Sequence, residues 1–279
     1  MSKWNLIVDV ANCTNCQLCV LANHDEHVGN SFPGYAAEMP KHGHKWINIQ
    51  RKERGQTPMI DVAFLPVMCQ HCDDAPCVKK AENGAVTKRA DGIVIIDPEK
   101  AKGQRHLVDA CPYGAVWWNE EKQIPQHWIF DAHLLDDGWK EPRAVTVCSA
   151  GALEAVKTND ADMQRRAASE GLEHLKPEAG TKPRIWYKNL SRFNRSFIGG
   201  SVEAAAGDTV DCVPGAAVTL SRNDRQVAET TTDVYGDFKF DGLEADRGQY
   251  RVEIKAEGHP PKSLDVTLGD SVYLGEIRI

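Results

Sequence analysis

Eight of the nine cysteines in this 279-residue chain fall into two incomplete ligand runs, and the way those runs break off limits the fold more than any other feature. The first run reads CTNCQLC and supplies Cys13, Cys16 and Cys19, with Asn23 standing where a fourth thiol would complete it. The second, CQHCDDAPC, supplies Cys69, Cys72 and Cys77, and a lone Cys111 followed by Pro112 comes later. In chains that hold two iron–sulfur cubes, the fourth cysteine of a C-x2-C-x2-C-x3-C-P run serves the other cube, so ligands are shared between distant runs. Each triplet here therefore needs a distant fourth thiolate. Cys111 can complete the second triplet and Cys148 is left for the first, which gives two [4Fe–4S] sites and one spare thiol, Cys212.

Two four-cysteine zinc sites would use the same eight thiolates. A third cysteine a few residues after each C-x2-C favours a loop curled around a cube over a tetrahedral ion, and an isolated Cys-Pro belongs to the iron–sulfur pattern. Disulfides fit neither the spacing nor the expected compartment. Cys212, in DTVDCVPGA, reads as a small apolar packing residue.

The length predicts about two domains. A net charge of −7 without any long basic run gives no reason to expect a nucleic-acid partner. No apolar stretch approaches the roughly 18–20 residues of a membrane span, so no membrane anchor is expected on this chain. The opening MSKWNLIVDV lacks a charged region followed by an apolar segment and a small-residue cleavage site, and no twin-arginine signal is present. Reduced cysteines and no export signal predict the cytoplasm.

Residues 1–160 are rich in cysteine and tryptophan, with short β runs at Asn5–Val10, Lys45–Arg51 and Gly92–Ile96 and short helices near Gln17–His24 and Leu107–Ala110. This predicts an α+β ferredoxin-like iron–sulfur domain of two pseudo-symmetric cluster-binding modules. Residues 161–196 form a helix, starting at Asp160 and running to about Leu175, and a polar linker, EAGTKPR. Residues 197–279 alternate apolar and polar positions in seven short stretches: SVEAAAG, AAVTLSR, QVAETTT, GDFKFDG, QYRVEIKAEG, KSLDVTLG and SVYLGEIRI. Such spacing, with Gly, Asp and Asn turns, predicts an all-β sandwich or barrel of about seven strands. The run TTTDVYGDFKFDGLEADRGQYRVEIKAEG resembles the prealbumin-like or carboxypeptidase-regulatory-like sandwich, and its expected role is packing or interaction.

The stretches HGHKWINIQRKERG, DGIVIIDPEKAKG, CPYGAVWWNEE, AHLLDDGW and GTKPRIWYKNLSRF, in the order triplet, triplet, Cys-Pro, lone Cys and terminal β domain, carry a family likeness. The chain resembles the iron–sulfur subunits of dimethyl sulfoxide reductase-type molybdopterin enzymes, nearest to the small subunits of pyrogallol–phloroglucinol transhydroxylase and resorcinol hydroxylase. The resemblance implies a large molybdopterin-containing partner that carries the molybdenum bis-pterin cofactor, no substrate-converting site on this chain, and a heterodimer that could assemble further.

The resemblance also implies four cysteine runs, paired first with fourth and second with third. Cys13, Cys16, Cys19 and Cys148 then make one cluster, and Cys69, Cys72, Cys77 and Cys111 another. The neighbour of the first would require cysteines at Asn23, Trp128, Asp131 and Ala144; the neighbour of the second, at Ala81, Ala101, Gln104 and Leu107. None is present, so whole ligand sets have vanished together. The family pattern of the transhydroxylase small subunit carries three clusters, and the missing third would lie between the two that remain. A gap there weakens long-range electron transfer. It matters little to transhydroxylation, in which a hydroxyl moves between aromatic molecules without net electron flow. The other readings are an electron-transfer subunit for a related molybdenum reaction, such as reductive dehydroxylation or a non-aromatic substrate, and a free-standing carrier.

Four-thiolate clusters leave no open coordination site, so their potentials, set by hydrogen bonds, burial and charge, are what the chain can tune. His24, His27, His42, His44 and His71 lie near the cysteine loops, but each cluster already has four thiolates, so packing or surface roles are expected. Trp117–Trp118 read as aromatic packing, and Asp73–Asp74 and Asp136–Asp137 as solvated or interface charges.

Overall fold

The computed structural model describes residues 1–245 and 248–279. The chain forms two units, residues 1–50 with 64–190, and residues 51–63 with 191–279.

In the first unit, β1 (Lys3–Asp9) leads into α1 (Leu18–His27), then the hairpin of β2 (Ile47–Gln56) and β3 (Met59–Met68), whose tip belongs to the second unit. Two short ribbons follow, β4 (Val86–Lys88) with β5 (Val94–Ile96) and β6 (Trp117–Asn119) with β7 (Ile124–Gln126). β8 (Leu153–Thr158), the helix Asp160–Glu170 and β9 (Ile185–Lys188) complete it. β1 is central in a three-stranded sheet, antiparallel to β8 and parallel to β9, and Trp4–Val8 are buried without a break. A strand covered on both faces has no polar side to alternate with. The helix Asp160–Glu170 is capped by Asn159, which accepts from the Asp162 amide at 2.9 Å, and is stopped at Gly171 in a left-handed conformation. It ends five residues before the expected limit because of that glycine. Single helical turns at Pro76–Lys80, His106–Asp109, Ala132–Asp136 and Arg143–Thr146 lie beside the cysteine runs.

The second unit is a sandwich of β10 (Ser196–Ala206), β11 (Thr209–Cys212), β12 (Ala217–Arg222), β13 (Arg225–Thr231), β14 (Asp237–Leu243), β15 (Gly248–Lys255), β16 (Lys262–Leu268) and β17 (Val272–Arg278). β10 pairs antiparallel with β11 and β14 and parallel with β17; the other sheet runs β13-β12-β15-β16. Val202, Val218, Leu220, Phe238, Phe240, Val252, Ile254 and Leu268 fill the space between the sheets. These are the inward positions of the alternating stretches, as the period-2 pattern requires. β11 adds an eighth short strand, exposed along its whole length, where a pattern of buried residues could not announce it.

The tip of the β2–β3 hairpin clips onto this unit through Arg54. Its guanidinium donates to both carboxylate oxygens of Asp241 at 2.9 and 3.1 Å, to the Arg195 carbonyl at 3.2 Å, and to Asp61. At Gly55 (φ +82°) a Cβ would lie 2.4 Å from the Phe197 ring and the Met59 carbonyl oxygen, so only glycine fits.

Candidate metal centres

The first unit brings all eight predicted ligands together as two sets of four. Cys69 and Cys72 follow the end of β3, Cys77 sits in the turn Pro76–Lys80, and Cys111 lies just after His106–Asp109. These four line one cavity, walled by Val94, Val116, Tyr113 and His127. Cys13, Cys16, Cys19 and Cys148 line another, walled by Ile49, Pro66, Ala150, Ala152 and Leu153. Both linings are almost wholly apolar.

The thiols titrate as their surroundings dictate. Burial, reinforced by the neighbouring sulfurs, pushes Cys77 and Cys19 up to about 12. Burial also raises Cys72, to about 11, against a hydrogen bond from Thr181 that favours the thiolate. Cys69, wholly enclosed, is driven well above its ordinary value by desolvation and by Cys77 and Cys111. Four thiolates in a dry cavity are untenable without a compensating cation, and metal coordination deprotonates thiols outright. Among the described residues, no three His, Cys, Asp or Glu side chains are gathered closely enough to hold a single metal ion. The donor set and the cavities fit a cube.

The backbone records four equivalent loops. The residue immediately before the second ligand is left-handed in both intact runs, Asn15 (φ 58°) before Cys16 and His71 (φ 44°) before Cys72. The same conformation recurs at Gly103 (φ 80°) before Gln104 and at Phe130 (φ 58°) before Asp131, positions where the family resemblance would put further ligands. A positive φ at histidine or phenylalanine is strained and persists only where the surrounding structure enforces it.

Packed side chains occupy the positions where the family resemblance would put further ligands. Ala101 and Leu107 are fully buried in one apolar cluster with Cys72, Cys77, Ala81 and Cys111. Gln104 makes three hydrogen bonds there: its Oε1 accepts from the Glu82 amide at 2.9 Å, and its Nε2 donates to the Lys100 and Glu82 carbonyls at 2.8 and 3.3 Å. In the other set, Asn23, Trp128, Asp131 and Ala144 are all buried. Asp131 accepts from the Arg143 amide at 2.8 Å, and its other oxygen lies 3.7 Å from His27 Nε2.

Several of the remaining candidates have structural partners. His71 Nδ1 accepts from the Val94 amide at 3.1 Å, and His44 Nε2 is 3.0 Å from the Trp118 carbonyl. Burial lowers the pKa of both imidazoles. Asp136 is held down to about 2 by Arg89, and Asp73 is bound by Arg184 and Lys88, so neither acidic pair is poised for acid–base work. Cys212 departs from expectation: it is exposed on β11, its Sγ 3.5 Å from the Val234 carbonyl, because its strand lies at a sheet edge. Sequence spacing gave no sign of His127 in the cavity wall, of Thr181 beside Cys72, or of the Lys88–Asp73–Arg184 cluster, whose members are brought together over long separations.

Fold and sites together define an iron–sulfur protein that carries a β-sandwich. Residues 60–158 match the 4Fe-4S dicluster domain family, and residues 198–276 the carboxypeptidase regulatory-like domain family. The chain is 45% identical over 282 residues, covering 100% of both chains, to the pyrogallol hydroxytransferase small subunit of Pelobacter acidigallici. It is 30% identical over 194 residues to a tetrathionate reductase subunit of Salmonella typhimurium (67% of this chain, 73% of that one). To a sulfite dehydrogenase subunit of Allochromatium vinosum it is 28% identical over 200 residues (67% and 83%). The chain belongs to the family of iron–sulfur small subunits of molybdenum enzymes that includes the pyrogallol hydroxytransferase small subunit. Subunits of this family work within oxidoreductase or transhydroxylase complexes, with a large catalytic partner. Among the described residues no helix is long and apolar enough to cross a membrane.

Proposed function

We propose that the chain holds two [4Fe–4S] clusters, one on Cys13, Cys16, Cys19 and Cys148 and one on Cys69, Cys72, Cys77 and Cys111. It does so beside a large cytoplasmic subunit that carries the molybdenum bis-pterin cofactor and acts on hydroxylated aromatic compounds. The observation that carries this reading is the gathering of eight thiols into two apolar cavities, four to each, while packed non-cysteine side chains fill the positions where the family resemblance would put further ligands. Full-length identity of 45% to a pyrogallol hydroxytransferase small subunit supports the substrate class. In this division of labour residues 1–160 supply the cluster ligands, 161–196 add a helix and β9 to that unit's core, and 197–279 form a sandwich for packing or assembly.

When bound, the clusters supply one-electron storage. The chain's own residues exclude water with Val94, Val116, Ile49 and Leu153, and donate the Ala115 amide to Cys111 Sγ at 3.4 Å. Hard redox chemistry stays with the partner's cofactor. Because transfer of a hydroxyl between aromatic rings moves no net electrons, an incomplete path through this subunit suits transhydroxylation better than a reaction that must discharge electrons externally.

The test is iron and acid-labile sulfide, with EPR of the reduced protein, on the complex purified with its large subunit. About eight iron per small subunit, after allowance for any cluster in the partner, is expected for two cubes. About twelve would overturn the two-cluster reading, and colourless protein containing zinc would overturn the iron–sulfur assignment.

A further inference from the structure

The two thiol sites differ in their electrostatic surroundings. Around Cys13 and Cys19 the leading electrostatic neighbours are other thiols. Beside Cys69 and Cys72 lies Lys88, the last residue of β4, with its side chain only 20% exposed. Its Nζ donates to the His71 carbonyl at 2.9 Å and the Gly92 carbonyl at 2.8 Å, and pairs with Asp73 Oδ1 at 2.9 Å. An ammonium has three protons to donate, and all three are engaged, so the charge is pinned onto the loop between Cys69 and Asp73. It acts electrostatically on both Cys69 and Cys72.

The counter-charge does not cancel it. Asp73 is claimed by Arg184, which donates to its two oxygens at 2.7 and 2.5 Å, and Lys3 lies 3.9 Å away. Asp160 pairs with Lys3 at 2.8 Å and with Arg184 at 3.0 Å. Three cations (Lys3, Lys88, Arg184) face two carboxylates (Asp73, Asp160), leaving one net positive charge beside this site. Arg184, only 4% exposed, and Lys88 are its most enclosed members.

We propose that Lys88 is a fixed positive charge that tunes the reduction potential of the cluster on Cys69, Cys72, Cys77 and Cys111, holding it above that of an otherwise identical site. This rests on the two-cluster reading. One-electron reduction adds one negative charge without making or breaking a ligand bond, and a nearby enclosed cation favours that more negative form. Reduction by one electron from dithionite therefore populates this site before the one on Cys13, Cys16, Cys19 and Cys148, wherever other determinants are equal.

The experiment is an EPR-monitored dithionite titration of the purified heteromeric complex, with iron content measured on each sample. Lys88→Met is expected to move one of the two midpoints downward and leave the other in place, while Lys88→Arg keeps both near the original values. Asp73→Asn, which keeps the ammonium and removes its counter-charge, is expected to move the same midpoint upward. If Lys88→Met loses iron, the sign of the Asp73→Asn shift decides alone. Full-iron Lys88→Met with both midpoints unmoved, or a downward shift in Asp73→Asn, would overturn the tuning role. Failure of the underlying reading shows separately, as the wrong iron count in the unsubstituted protein.

Discussion

Gln104 stands where the missing second–third cluster would take a thiolate, and replacing it by alanine tests whether that position now works as a structural tie. Three hydrogen bonds are lost, to the Glu82 amide, the Glu82 carbonyl and the Lys100 carbonyl. At about 0.5–1.5 kcal/mol each the gross loss is roughly 1.5–4.5 kcal/mol. Glu82 itself is exposed, so water can recover part of its bonding, which places the cost near the low end, about 2 kcal/mol. Local opening of the segment around Glu82 becomes easier by that amount, which is about a 30-fold faster amide exchange at tenfold per 1.4 kcal/mol. Hydrogen exchange read by mass spectrometry on the peptide covering residues 78–86 measures this directly and does not require the two-unit protein to unfold in a single step. Gln104→Leu separates causes: it refills the volume without the hydrogen bonds and should exchange as fast as the alanine variant. Exchange within about threefold of the original in both variants would refute the tie, and rescue by leucine would assign the effect to packing.

Two further outcomes follow from the same geometry. Cys77→Ala should cost about four iron per chain by removing one ligand of one cube, whereas Cys212→Ser should cost none, and with the cubes in place Cys212 should be the main alkylated thiol in an iodoacetamide mass map. Burial alone would raise the Asp61 carboxyl, but hydrogen bonds from Arg54 and Arg192 and the charge of Lys239 pull it from 3.8 to about 2. A depressed carboxylate stabilises the fold above its unfolded value and loses that contribution as pH falls through its folded value. Asp61→Asn should therefore lower stability at pH 7 by about 1–2 kcal/mol after allowance for partial solvation, and the gap should shrink between pH 4 and pH 2 in unfolding followed by circular dichroism.

The gathering of the cysteines into two groups was legible from their short spacings, and seven of the sandwich strands because one buried face forces alternation. The features that escaped have physical reasons. β3 is buried continuously from Leu65 to Met68, and its first half crosses into the other unit, so no single period marks it. β11 buries nothing. Lys88, Asp73 and Arg184 meet only after folding and look like ordinary surface charges in one dimension. The missing ligands could be placed from family likeness, but their loops' left-handed residues, Gly103 and Phe130, carry no sequence signature that separates them from any other turn.

On the proposed two-cluster reading, the two runs without a full set of cysteines share a solution that keeps their loops in place. Each still ends in a cysteine that serves an intact set: the run through Ala101, Gln104 and Leu107 leads to Cys111, and the run through Trp128, Asp131 and Ala144 leads to Cys148. In each, the second ligand position holds a polar side chain that bonds backbone. Gln104 ties its loop to Lys100 and Glu82, and Asp131 accepts from the Arg143 amide at the start of the turn that presents Cys148. Arg143 in turn donates to Asp25 at 2.6 Å and to Glu26, both on α1, the helix that carries Cys19. Deleting either degenerate run would thus remove a ligand of the neighbouring cluster, and leaving its loop without a cube or a bonded side chain would let that ligand drift. A backbone-bonding residue at the vacated corner meets both demands, which makes complete loss of the other thiolates compatible with full retention of the cluster beside them.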